Sequence, residues 1–193
     1  VPDQRRKSRH DINDDFGKAV EIFLSLSDKC KDSPLYFNDA IEFASLWLGE
    51  LADRHYEKAL KLGKTDKGRE ELRKTVAILT DVDRLLASHP LHRLDRWIAD
   101  ARNEGSSIEK DHREANAKRL ITTWGGWQED YAARFWSGLI KDYYIPRLEI
   151  HFSEKADMME KWKEEWINTP YHSNTKPFDS PLEVAKELIA NEK

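Results

Sequence analysis

The apolar residues of this chain recur at spacings of three and four almost from end to end, and nowhere do they alternate at the period of two that a half-buried strand requires. A helix turns once in 3.6 residues, so this spacing lays apolar side chains along one stripe that must be buried against another. The pattern restricts the chain to packed helices. The predicted fold class is all-α, a single domain of about eight mostly antiparallel helices in an irregular bundle. No longer period repeats, which sets aside solenoid arrays.

The stripes place the elements. Ile12, Phe16, Val20, Phe23, Leu26 and Cys30 predict a helix over 11–31. Ser33-Pro34 is an N-cap followed by a proline at the first helical position, and the helix it opens carries Phe37, Ile41, Ala44, Leu48, Leu51 and His55 as far as Leu62, with Gly63 as its cap. Leu72, Val76, Leu79, Val82 and Leu86 mark a third helix, and Leu94, Trp97, Ile98 and Ala101 a shorter fourth. Ser106 with Glu109 forms a capping box for a fifth, polar through Arg113, Asn116 and Arg119, whose polar face needs a partner or solvent. Helical spacing resumes over Ala132, Phe135, Trp136, Leu139 and Ile140. Pro146 predicts a kink or restart, because the residue before a proline is steered out of the helical region, and Ile145 to Trp166 line a long helix after it. Residues 169–179 have no periodicity and read as a surface loop, and Ser180-Pro181-Leu182-Glu183 then starts a last helix.

Charge and cysteine content narrow the chemistry. With 36 acidic against 32 basic residues the net charge is −4, which argues against nucleic-acid binding by bulk electrostatics. Arg5, Arg6, Lys7 and Arg9 are a local exception inside residues 1–10, a stretch that reads as linker. No apolar run approaches the roughly 20 residues that span a bilayer. Neither nucleic acid nor membrane is an expected partner. Cys30 is the single cysteine, so no internal disulfide and no paired-cysteine metal site can form. No His-Glu-x-x-His pattern occurs, and Gly125-Gly126 lacks the Lys-Ser/Thr partner of a phosphate loop, so no metal and no cofactor are expected. The chain opens at Val1 without an initiator Met, which reads as a piece of a longer protein.

Residues 120–147 hold three of the seven Trp and three of the six Tyr, and the sequence Trp124-Gly125-Gly126-Trp127 breaks the helical pattern in their midst. Each Gly costs about 1 kcal/mol relative to Ala inside a helix, so helix stability does not explain the break. Trp and Tyr on a glycine-containing loop present flat apolar faces with a polar edge, the surface on which sugar rings stack. Phe135, Trp136, Trp162 and Trp166 read as plugs between helices. For Trp124 and Tyr131 two readings stand open, core packing or a face turned to a ligand.

Asn116, Leu120, Thr122, Trp124-Gly125, Asp130-Tyr131, Trp136, Gly138-Leu139, Tyr143-Tyr144 and Pro146-Arg147 occur in an order that resembles the C-terminal helical domain of the α-N-acetylglucosaminidases, glycoside hydrolase family 89. Residues 35–59, 79–102 and 182–188 resemble that family's helices in the same order. The resemblance implies an accessory domain that forms one wall of the substrate cleft of an exo-glycosidase acting on terminal α-linked N-acetylglucosamine. Its partners would be a central barrel domain of the same polypeptide, which carries two catalytic glutamates, and a glycan containing N-acetylglucosamine. It implies no catalytic residue in this chain, which alone would be inactive, and a secreted, periplasmic or lysosomal location. Residue by residue, it implies substrate binding by Trp124, Gly125, Asp130 and Tyr131, with Trp124 stacking on the sugar and Tyr131 offering its hydroxyl. The loop from Gly125 to Asp130 is shorter than in many members. The alternative is a stand-alone helical module that binds protein or glycan without catalytic activity.

Overall fold

In the computed structural model, residues 10–30, 32–124 and 130–192 are described, and among them helices, turns and one isolated bridge between Arg93 and Ser137 are the whole secondary structure. The all-α expectation holds. The basic residues Arg5, Arg6, Lys7 and Arg9 of the expected linker lie outside the described residues. The chain divides into two compact units, one built from residues 1–89 and 177–193 and the other from residues 90–176.

The first unit contains α1 (His10–Leu24), α2 (Ser27–Cys30), α3 (Pro34–Leu62), α4 (Asp66–Leu86) and α9 (Pro181–Asn191). The helix expected over 11–31 is interrupted at Ser25 and Leu26: the Ser25 hydroxyl donates to the Ile22 carbonyl at 2.6 Å, competing for the helical ladder. At the start of α3 the Ser33 hydroxyl accepts from the Tyr36 N–H at 3.3 Å, and Pro34 takes the first turn, where no N–H is needed. A turn of only 63–65 links α3 to α4, with Thr65 capping α4 through the Gly68 N–H at 3.1 Å. The turn closes this tightly because Gly68 has no side chain; a Cβ there would stand 1.9 Å from the Gly63 carbonyl oxygen.

Between these helices Ala40, Ile41, Ala44, Leu48 and Ala52 of α3 meet Ile78, Val82, Leu85 and Leu86 of α4, joined by Val20 and Leu24 of α1 and by Ala185 and Ile189 of α9, all buried. The predicted α4 stripe of Leu72, Val76 and Leu79 is only half-buried, and Thr75 and Ile78 lie deeper. Thr75 can do so because its hydroxyl finds the Glu71 carbonyl at 3.1 Å. His55 is more engaged than a packed histidine with one satisfied nitrogen: its Nδ1 lies 2.6 Å from a Glu71 carboxylate oxygen and its Nε2 3.4 Å from Glu192.

The second unit contains α5 (Leu94–Ala101), α6 (Ser107–Leu120), a π-helical turn (Ile140–Tyr144) that runs directly into α7 (Ile145–Phe152), a 3-10 turn (Ala156–Met158) and α8 (Met159–Asn168). Its core is Leu94, Ile98, Ala117, Ile121, Leu139 and Tyr143, with Trp97, Trp136, Trp162, Trp166 and Tyr171 packed around it. The segment leading to Leu139 is irregular rather than helical, because its backbone groups are spent elsewhere: the Leu94 N–H donates to the Ser137 carbonyl at 2.9 Å and the Ser137 N–H to that of His92 at 3.0 Å.

Pro146 does not break the helix. Ile145 keeps helical angles (φ −57°, ψ −51°), and its N–H reaches back five residues to the Ile140 carbonyl. The expected departure of Ile145 from helical angles is thus absent, and a wider turn leads into α7, which carries the proline in its first turn. The long helix expected from Ile145 to Trp166 ends instead at Phe152, where Ser153 turns extended, and α8 begins afresh. After α8 no helix forms until Pro181.

Candidate functional site

The aromatic stretch is built at the end of α6. Two ties close that helix: the Thr122 hydroxyl donates to the Lys118 carbonyl at 2.7 Å, and the Trp124 N–H to the Arg119 carbonyl at 2.7 Å. Trp124 achieves this with φ +48°, in the left-handed region that usually falls to glycine at a helix end and costs other residues roughly 1–2 kcal/mol. Asp130, with φ +61°, is the other non-glycine residue of positive φ among those described. Gly125, expected to line the site, and its neighbours up to Glu129 lie outside the described residues. The Asp130 N–H donates to the Thr122 carbonyl at 2.8 Å.

Trp124 and Tyr131 are not core residues. Trp124 is 39% and Tyr131 76% exposed, and their rings meet with centroids 5.6 Å apart at 54°. The pair forms an open corner of two apolar faces edged by an indole N–H and a phenol hydroxyl, which suits a flat ring with hydroxyls around its rim. Asp130 points elsewhere: its two carboxylate oxygens accept from both terminal nitrogens of Arg147 at 2.9 Å each. The structure therefore brings Trp124 and Tyr131 together and joins Asp130 to Arg147, a residue outside the expected site.

Arg147 in turn ties Asp130 to an aromatic cluster. Tyr143 is fully buried between Trp162 and Trp166, with ring centroids at 5.6 and 4.6 Å, and the Arg147 guanidinium lies 5.0 Å over its ring. The Tyr144 hydroxyl donates to the Arg134 carbonyl at 3.0 Å. Burial, helped by the nearby Asp130 charge, pushes its pKa up to about 12, so it stays a neutral donor. Trp136 packs against Trp97, whose indole N–H reaches the Ala117 carbonyl at 3.1 Å.

The polar face of α6 finds its partner inside the same unit. Lys118 is 1% exposed and its ammonium donates to the carbonyls of Trp166, at 3.1 Å, and Thr169, lies 3.2 Å from Glu114 and sits 5.0 Å over the Trp166 ring. Burial pulls its pKa below the ordinary lysine range, and Glu114 opposes that pull. Glu114, also buried, accepts from Arg102 at 2.7 Å and from the Tyr171 N–H. A Glu and a Lys four residues apart on a polar helix was the only sequence signal for this buried pair, and solvated helix faces carry the same signal.

A family model described as the alpha-N-acetylglucosaminidase (NAGLU) C-terminal domain matches residues 3–191, across both units. The chain belongs to this family. As an α-N-acetylglucosaminidase C-terminal domain, it is an accessory helical domain. It is similar to human alpha-N-acetylglucosaminidase, at 27% identity over 150 residues that make up 74% of this chain and 20% of the human protein. It is also similar to the family 89 glycoside hydrolase from Clostridium perfringens in complex with PUGNAc, with a TM-score of 0.80, 27% identity and coverage of 93% of this chain and 24% of that one. The same bacterial enzyme in complex with its substrate GlcNAc-α-1,4-galactose gives a TM-score of 0.79 at 26% identity, covering 93% of this chain and 23% of that one. The α-N-acetylglucosaminidase C-terminal domain thus spans a quarter or less of these larger relatives.

Proposed function

We propose that this chain serves as one wall of the substrate cleft of an exo-acting α-N-acetylglucosaminidase, with Trp124 and Tyr131 facing the terminal N-acetylglucosamine of the glycan. The observation that carries this reading is the exposed Trp124–Tyr131 corner, with the Trp124 N–H tied to Arg119 and the Asp130 N–H to Thr122. Two aromatic rings already in contact, on residues whose neighbouring backbone is hydrogen-bonded, present a pyranose ring with a surface that needs little ordering on binding. Chemistry would come from two glutamates on a barrel domain of the same polypeptide, as the family resemblance implies. Relatives bearing the names of glycosidases support a role in carbohydrate breakdown and a secreted, periplasmic or lysosomal setting. No helix among the described residues is long and apolar enough to cross a membrane.

The test is Trp124→Ala in the full-length enzyme that carries this domain. Turnover of aryl α-N-acetylglucosaminides, as kcat/KM, should fall at least tenfold, about 1.4 kcal/mol of transition-state stabilisation. Kinetics equal to those of the unaltered enzyme would remove Trp124 from the cleft.

A further inference from the structure

Asp130 is the immediate neighbour of Tyr131, and its backbone is fixed at φ +61° by a bond to Thr122. Its side chain is held by both terminal nitrogens of Arg147, which projects from α7. Exposed ion pairs usually contribute little, because two flexible side chains must be ordered in water. This pair differs in two ways. It is bidentate, which fixes the angle between carboxylate and guanidinium as well as their distance. The guanidinium is also seated on the ring of Tyr143, a residue buried between Trp162 and Trp166, so one partner is ordered by the core before the pair forms.

The chain of contact thus runs from the core through Tyr143 and Arg147 to Asp130, and from Asp130 by one peptide to Tyr131, whose ring meets that of Trp124. We propose that Arg147 is a positioning residue for the sugar: through its clamp on Asp130 it sets the angle of the Trp124–Tyr131 corner, and Asp130 serves the clamp rather than the glycan. The proposal rests on the reading of that corner as sugar-facing. It assigns Arg147 no contact with substrate.

The test uses the full-length enzyme with Asp130→Asn, Arg147→Gln and the double variant. Asn keeps the shape of Asp and is among the few residues that tolerate positive φ, so the fold should survive that change. Hydrogen exchange of the amides of Trp124, Asp130 and Tyr131 should quicken in each single variant. A misplaced contact can cost a hundredfold in rate, so kcat/KM on aryl α-N-acetylglucosaminides should fall about tenfold in each. The double variant should be no worse than either single one, because both remove the same clamp. Exchange rates that stay unchanged in both variants would overturn the clamp. Multiplying losses in the double variant would put Asp130 on the sugar itself and overturn its assignment. Faster exchange with intact kinetics, beside a damaging Trp124→Ala, would overturn the positioning role alone. If Trp124→Ala is also harmless, the sugar-facing reading falls while the clamp stands as a structural tie.

Discussion

Replacing Lys118 by Met keeps the length and helix preference of the side chain and removes its charge. The ammonium is 1% exposed and is surrounded by the Trp166 and Thr169 carbonyls, the Glu114 carboxylate and the Trp166 ring. Removing one partner of a buried pair costs about 3–5 kcal/mol, since the other charge is left without its counter-ion. Here Glu114 keeps Arg102 at 2.7 Å and the Tyr171 N–H, which puts the loss near the lower end of that range, about 3 kcal/mol. For a chain of this size each kcal/mol moves Tm by roughly 2–4 °C, so a fall of about 6–12 °C is expected. Urea unfolding followed by tryptophan fluorescence reports on it directly, because Trp162 and Trp166 lie in the same unit, and the slope with urea should not change. A loss below about 1 kcal/mol would refute the account of Lys118 as a charge held in place by its surroundings.

Gly138 has φ +85°, and a Cβ there would stand 2.1 Å from the Tyr171 hydroxyl and 3.2 Å from the Leu94 Cβ. Gly138→Ala should therefore destabilise by about 3 kcal/mol, combining left-handed strain with displacement of Tyr171; a cost under about 1 kcal/mol in urea unfolding would contradict this. Glu71, hydrogen-bonded to His55 and Lys74, has its pKa lowered to about 2 from an ordinary value near 4.5. A lowered carboxyl pKa stabilises the fold above the unfolded value and loses that contribution as pH falls through the folded one. The stability difference between the unaltered chain and Glu71→Gln should thus be constant above about pH 5 and shrink between about 4.5 and 2, and a difference that persists at pH 2 would exclude the pairing as its source.

How far the sequence could be read depends on what each residue spends its polar groups on. Spacings of three and four reveal helices because the helical ladder consumes the backbone locally, and α3, α4 and α6 start where the cap residues Ser33, Thr65 and Ser106 stand. The same logic fails over residues 132–138. Their spacing is helical, but Ser137 exchanges hydrogen bonds with residues far along the chain, and periodicity cannot report such a partner. Before Pro146 the residue-level rule also fails, since Ile145 keeps helical angles at the end of the wider Ile140–Tyr144 turn. At the candidate site, residue type pointed to Trp124 and Tyr131, whereas the partnership of Asp130 with Arg147 joins positions seventeen residues apart and has no local signature. Lys118 and Glu114 were hidden because a buried pair and a solvated one are written with the same letters.

The first unit is interrupted in sequence: residues 1–89 belong to it, residues 90–176 do not, and α9 completes it. During synthesis its first four helices leave the ribosome well before the strip that Ala185 and Ile189 will cover, a delay on the order of ten seconds at usual elongation rates. Throughout that interval Val20, Leu24 and part of α3 lack their last apolar neighbour, which makes the nascent half-domain a natural client for a holding chaperone. The intervening unit has its own core and does not have to wait. Truncation ahead of α9 would therefore uncover apolar faces of α1 and α3, which lie more than a hundred residues earlier in the sequence.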